Sequence, residues 1–407
     1  MQETEATAQK NARESEMLAL EEYAAVFIGD AEAITALKAR GIEIDTQMPD
    51  GRTLVFIAAQ HGDAAAIARL KAAGANMDTP RQDGRTPVYA AACNGHAAAI
   101  TALKAAGANM DTPRRDGRTP VYAAACNGHA EAIAALKAAG ANLNAQRRDG
   151  RTPVFIAAHE GHAEAIIALN IAGAAMNTPD INGITPVCIA AFNGHAATIV
   201  VLKALDANVN APMRDGRTPV FAAAQVGHAE AIAALKFAGA NVDTPDEDGV
   251  TPVCIAAFHG HVEAIDALAT AGAAMDTPTS DGKTPLDIAA INGHATVISV
   301  LFYVGVKASA KTLSTALAYA RQGEKTGHRE AIRLLEARYK QYRNEIINGA
   351  IPIPLCNFSE QKSPLVLPQF QRTVTLPPNA TANQSREKTS DISGGVGCER
   401  DGKTSRC

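Results

Sequence analysis

The chain has 407 residues, of which 47% are hydrophobic and 20% charged, and its formal net charge at pH 7 is −4. This near balance gives no reason to expect nucleic acid or an anionic membrane surface as the partner. The acidic N-terminus does not resemble a secretory signal, and no apolar run approaches the length of a membrane span, so we expect a cytoplasmic protein.

The chain begins with two short segments that precede its main pattern. Residues 1–12 show no periodicity and are predicted to be a flexible N-terminus. Residues 13–49 keep half of a unit that recurs later, because Gly29-Asp30 and Ile34 stand 33 residues before Gly62-Asp63 and Ile67. A half unit at the end of a repetitive chain predicts an N-terminal capping repeat.

Residues 50–311 repeat one unit with a period of 33 residues. No residue is gained or lost between the glycines that open the units, which are Gly51, Gly84, Gly117, Gly150, Gly183, Gly216, Gly249 and Gly282. A unit this short cannot bury its own apolar face, so neighbouring units must stack on one another. The period therefore predicts a solenoid of eight units with one continuous core.

The unit at residues 81–113 shows how each repeat folds. Asp83-Gly84 is a turn signal, and Thr86-Pro87 is a helix start, in which Thr caps the helix and Pro occupies its first position. Gly95 is expected to end this first helix in a left-handed conformation, and a second helix runs to Gly107. The unit is predicted to be hairpin, helix, helix, and the whole array all-α.

The unit resembles the ankyrin repeat. The residues that match the pattern of that family, in order, are Thr86, Pro87, Ala91, Ala92, Gly95, His96, Leu103, Gly107 and Ala108. The resemblance extends over residues 50–311 and implies an ankyrin array in which hairpin tips and first helices form a concave protein-binding surface. One departure is a Lys in place of the second Leu in five units, which predicts a stem along the outer helix and an ammonium in water.

The C-terminal part of the chain changes in two steps. Residues 312–344 keep the repeat pattern in Ala316, Ala320 and Gly327-His328 but carry many charges, as expected of a C-terminal capping repeat. Residues 345–407 lose the period, are rich in Pro, Ser, Thr and Gly, and are predicted to be a disordered tail. The apolar residues within 363–375 are either incidental or form a short docking strand for a partner or for the array itself.

The chain offers no catalytic, metal or cofactor motif outside the repeat pattern, so we expect neither an enzyme nor a bound cofactor. Most of the histidines occupy one repeat position after the end of helix 1 and are interpreted as scaffold. His159 and His162 lack the spacing of a zinc-binding helix. Cys93 and Cys126 occupy equivalent sites about 10 Å apart in adjacent units, beyond disulfide reach, which favours a reducing compartment.

Arginines cluster at the predicted hairpin tips of the first units. They are candidates for binding a partner, and they comprise Arg81, Arg85, Arg114, Arg115, Arg118, Arg147, Arg148 and Arg151. Asp180 interrupts this row, and Asp246 reverses its sign. The row could bind an acidic or phosphorylated protein segment, or it could simply neutralise neighbouring aspartates. Nucleic acid is not expected, because no aromatic residues are interleaved with these arginines.

A second set of candidate partner-binding residues lies at the end of the first helices, on the face that the fold is expected to leave open: Cys93, Cys126, His159, Phe192 and Phe258. Phe192 and Phe258 are either exposed anchors for a partner or residues that fold back onto the next helix pair.

Together these patterns predict a monomeric, non-catalytic scaffold that holds a protein partner on its concave surface. The alternative is an adaptor that presents a bound protein to an enzyme complex, as a ubiquitin-ligase substrate receptor does, or a bacterial effector that binds a host protein.

Overall fold

The computed structural model describes residues 43–323, 326–347, 397–400 and 403–406. The predicted flexible N-terminus lies outside these residues, as do all but residues 43–49 of the N-terminal capping repeat and most of the predicted tail, including residues 363–375.

The described residues form eighteen helices and one two-stranded sheet. Odd-numbered helices are called helix 1 of their unit and even-numbered helices are called helix 2. The helices are α1 Leu54–His61, α2 Ala64–Ala72, α3 Pro87–Cys93, α4 Ala97–Ala105, α5 Pro120–Cys126, α6 Ala130–Ala138, α7 Pro153–Glu160, α8 Ala163–Ile171, α9 Pro186–Phe192, α10 Ala196–Ala204, α11 Pro219–Val226, α12 Ala229–Phe237, α13 Pro252–His259, α14 Val262–Thr270, α15 Pro285–Asn292, α16 Ala295–Tyr303, α17 Ala310–Ala320 and α18 Thr326–Ile347.

The helix starts and ends follow the local signals of the sequence. The Thr86 hydroxyl accepts a hydrogen bond from the Tyr89 N–H at 3.2 Å, and Pro87 is the first residue of α3. Gly95 adopts the left-handed conformation, with φ +79°, just after the helix. The prediction of two short helices per unit after a hairpin tip is confirmed.

Two layers of helices make up the array. Each helix 1 contacts helix 1 of the next unit from α1 to α17, and each helix 2 contacts helix 2 of the next unit from α2 to α16. The core lies between the layers, where Ala91 and Ala92 of α3 and Ile100 and Leu103 of α4 are fully buried. Lys104 is exposed on the outer side of helix 2, as predicted.

At the C-terminal end of the array, α17 packs on α15, and α18 follows it and continues to Ile347. Within the predicted tail, the structure describes the end of α18 and two short strands, β1 Gly397–Arg400 and β2 Lys403–Arg406. The strands pair antiparallel with Gly397 opposite Arg406.

Candidate protein-binding surface

Each hairpin tip is closed by backbone hydrogen bonds and by one side chain, which is an aspartate in every tip except that at 279–283, where it is Thr279. In the unit at 81–113, the Arg81 N–H donates to the Arg85 carbonyl at 2.7 Å and the Gly84 N–H donates to the Arg81 carbonyl at 2.8 Å. Asp83 accepts a hydrogen bond from the Arg85 N–H at 3.1 Å. Gly84 has φ +87°, a value that favours glycine, which explains the Asp-Gly signal.

In three consecutive units the arginine that follows the tip glycine lies inside the structure and not on its surface. These inner arginines, Arg85, Arg118 and Arg151, are 8%, 8% and 3% exposed. The Arg151 guanidinium lies 5.3 Å from the ring centre of Phe155, and its Nε lies 3.4 Å from Asp149 Oδ2. These three candidate partner-binding residues are therefore not on the surface of the hairpin tips. All three pair with the aspartate of their own tip, and Arg118 and Arg151 also stack on the buried rings of Tyr122 and Phe155.

Each tip spans five residues, such as Arg81 to Arg85, with its glycine at the fourth position. The arginines at the first position are partly buried and also lie near aspartates. Arg114 lies 3.9 Å from Asp83 of the preceding unit and 3.8 Å from Asp116 of its own unit. Arg147 lies 3.5 Å from Asp149. These ion pairs with aspartates neutralise much of the positive charge of the arginines that the sequence suggested for binding a partner.

The second tip position of each unit remains exposed. Arg115, Arg148 and Arg214 occupy this position, and Ile181, which is 53% exposed, and the exposed Glu247 occupy it in two other units. The Ile181 N–H donates to the Asp149 carbonyl of the preceding tip at 3.1 Å, so adjacent tips are tied together. We call these five residues the outer tip row.

Two tips use a different chemistry. Asp180 accepts hydrogen bonds from the N–H groups of Asn182 and Ile184, and Asp246 does the same for Asp248 and Val250. Burial raises the pKa of Asp246, although the two N–H donors oppose that shift. Here an aspartate at the first position and an apolar residue at the fifth replace the Asp–Arg pair. The interruption of the basic row is thus a change of tip architecture.

The candidate residues at the end of helix 1 divide into two groups. Cys93 and Cys126 are only 1% and 5% exposed, so their expected place on an open surface is wrong. The alanine-rich helices pack closely enough to cover both side chains. His159, Phe192 and Phe258 are half-buried and reach the surface. His159 Nδ1 lies 2.9 Å from Glu160 Oε1, and the Phe258 ring meets the His259 ring edge-on with their centres 5.0 Å apart.

Cys126, Cys188 and Cys254 are buried free thiols. Burial raises the pKa of the Cys188 and Cys254 thiols, which makes them poor nucleophiles. Because Cys126 is a free thiol, it is not bonded to Cys93, as the distance between equivalent sites predicts.

The row of histidines joins successive units, which confirms its role as scaffold. His129 Nε2 lies 3.0 Å from the Cys93 carbonyl, and His162 Nε2 lies 3.0 Å from the Cys126 carbonyl. Because a carbonyl only accepts, Nε2 carries the proton. The ring of His129 also packs on Gly95, where a Cβ atom would lie 2.7 Å from His129 Nδ1. Among the described residues, no group of three or more His, Cys, Asp or Glu could hold a metal ion.

Comparison with known proteins identifies the repeat. A family model for ankyrin repeats, built on three copies, matches residues 22–114, 99–180, 157–246 and 221–312. Among solved structures, the human ASB11 ankyrin repeat domain is similar, with 28% sequence identity and a TM-score of 0.49, over 55% of this chain and 100% of that chain. The search of curated proteins found no match. None of the helices in the described ranges has the length and apolar character needed to cross a membrane.

Proposed function

The chain belongs to the ankyrin repeat family, and we propose from this premise that it is a non-catalytic scaffold that binds a protein partner along its hairpin tips. Stacked repeats of this kind present equivalent positions at regular intervals, which suits recognition of an extended segment. The outer tip row provides five such positions, one in each of five units.

The observation that carries the proposal is the exposure of Arg115, Arg148 and Arg214 at one equivalent position. Their neighbours Arg118 and Arg151 are buried against aspartates and aromatic rings, so the outer arginines are the tip cations most available to a partner. Exposed guanidinium groups in a row favour a segment with carboxylate or phosphate groups. We therefore propose an acidic or phosphorylated segment.

The rest of the outer tip row refines the chemistry of this segment. Ile181 lies between Arg148 and Arg214 in the row, which favours an apolar residue flanked by acidic ones in the partner. Glu247 follows Arg214 and would repel a further acidic group. The half-buried rings of Phe192 and Phe258 provide additional apolar contacts at the ends of α9 and α13.

A charge-neutralising triple variant tests the proposal. We expect Arg115→Gln, Arg148→Gln and Arg214→Gln together to weaken binding of acidic and phosphorylated peptides selected from a library, by about 1 kcal/mol for each arginine that contacts a charged group. The variant should also flatten the salt dependence of the association rate, because exposed charges act over about 8 Å at physiological ionic strength. Peptide selection against the full chain, followed by binding kinetics at several salt concentrations, measures both effects.

The matched control removes the same number of positive charges from the helix-2 layer, away from the hairpin tips. Lys104→Gln, Lys137→Gln and Lys203→Gln change three exposed side chains of helix 2 and should leave peptide binding unchanged. If both triple variants weakened binding equally, net charge and not the tip surface would be responsible. If neither did, the proposed recognition of an acidic segment would be wrong.

A further inference from the structure

An apolar patch lies on the outer side of the helix-2 layer, away from the core. Ile171 at the end of α8 is 82% exposed, and Phe237 at the end of α12 is 84% exposed. Ile167 of α8 and Val200 of α10 are each 40% exposed. The three helices are consecutive in the layer, so these four residues form one surface, which we call the outer patch.

The fold itself does not require these side chains. The position of Ile171 and Phe237 is Ala105 in α4, Ala138 in α6 and Thr270 in α14. Those units have the same backbone and the same buried residues without a large apolar group at this position. Contiguous exposed apolar surface on a protein usually marks an interface.

Charged residues flank the outer patch in a regular order. The second residue of helix 2 is an exposed glutamate in several units, and the eighth is an exposed lysine. The acidic row is Glu131, Glu164 and Glu230, and the basic row is Lys137, Lys203 and Lys236. This order also suits the dipole of each helix, but a helix dipole does not explain the apolar residues between the rows.

We propose that the outer patch binds a second copy of this chain, with the two helix-2 layers packed antiparallel about a two-fold axis. Reversal of helix direction places Glu131 over Lys137 and Glu230 over Lys236 of the other copy. In the two helices between them, Glu164 lies over Asn170 and Lys203 over Ala197, so opposite charges face one another at four places in the dimer and like charges at none. Ile167 and Val200, at the fifth of nine helical positions, meet their own equivalents. Ile171 and Phe237 lie over the first helical residues, Ala163 and Ala229, which are small enough to leave room for them.

The size of this surface sets the expected strength of association. The helices α6, α8, α10 and α12 have nine residues each, are about 13 Å long and lie about 10 Å apart. Together they present about 500 Å² on each copy. The total of about 1,000 Å² is at the low end for protein interfaces, so the dimer should be weak and concentration-dependent. This association replaces the sequence-based expectation of a monomer. It uses a surface separate from the outer tip row, so its failure would leave the proposed partner binding untouched.

Sedimentation velocity of the full chain, at concentrations from about 1 to 200 μM, tests the proposal in two ways. The first removes apolar surface: Ile171→Ser and Phe237→Ser should abolish the concentration-dependent rise in mass. Tyr303→Ser is the matched control, since Tyr303 holds the equivalent position in α16, is 86% exposed and lies outside the outer patch. It should associate as the native chain does.

The second test reverses the charges. A variant with the acidic row changed to Lys and a variant with the basic row changed to Glu should each remain monomeric, because like charges then face one another. An equimolar mixture of the two should associate again, since opposite charges face across the mixed dimer. Circular dichroism of each variant confirms folding. A native chain that stays monomeric throughout, association that survives Phe237→Ser, or a mixture that fails to associate would overturn the proposal.

Discussion

Replacing the buried Arg151 by Gln should lower the free energy of unfolding by about 2 kcal/mol. Arg151 is 3% exposed, lies 5.3 Å from the centre of the Phe155 ring, and has its Nε 3.4 Å from Asp149 Oδ2. A desolvated cation–aromatic contact contributes about 1–2 kcal/mol. Loss of the ion pair adds less, because Arg147 still lies 3.5 Å from the same carboxylate.

Arg148→Gln is the matched control, since it makes the same chemical change three residues away at an exposed site. Its effect on the free energy of unfolding should stay within about 0.5 kcal/mol. Urea unfolding of the two variants and the native chain, followed by far-UV circular dichroism, gives the comparison. Equal losses for Arg148→Gln and Arg151→Gln, or no loss for either, would refute the assignment of Arg151 to the packed interior of the tip.

Two further predictions concern the histidine row. Burial lowers the pKa of His195 and His228, so the unfolded chain binds more protons than the folded chain as the pH falls below about 6.5. The free energy of unfolding, measured in urea, should therefore decrease from about pH 7.5 to about pH 5.5. A constant free energy of unfolding across this range would contradict the structure. Gly194→Ala should cost about 2 kcal/mol more than Gly173→Ala, because both glycines have positive φ but only at Gly194 would a Cβ lie 2.8 Å from the His228 ring; equal costs would show that the ring has room to move.

Local chemistry determined most of the fold. Thr86 and Pro87 start a helix and Gly95 ends it through interactions within about ten residues, so their roles can be predicted from the sequence. The exact period of 33 residues then fixes which units stack, because each unit must bury the same apolar face. The histidine row also follows from the period, since a residue repeated in every unit serves every interface.

The candidate site was less predictable, because exposure depends on the neighbouring unit and on packing between helices. Arg148 and Arg151 have the same side chain and are three residues apart, yet only the structure shows that Arg151 turns inward onto Phe155. Cys93 and Cys126 looked open by position, but close packing of alanine-rich helices buries them. The sequence does not reveal the outer patch for a related reason.

Differences between units were available in the sequence at Ile171 and Phe237, where other units have Ala or Thr. The exposure of these two side chains could not be predicted, because a small rotation of an amphipathic helix turns an apolar residue near its end from the core to the solvent. The sequence by itself determined the repeat, the residues that cap its helices and its turns, which depend on short-range contacts. Only the tertiary structure decided which side chains remain on the surface, because burial is set by atoms that lie 31 to 37 residues away, as in the hydrogen bonds that join successive units.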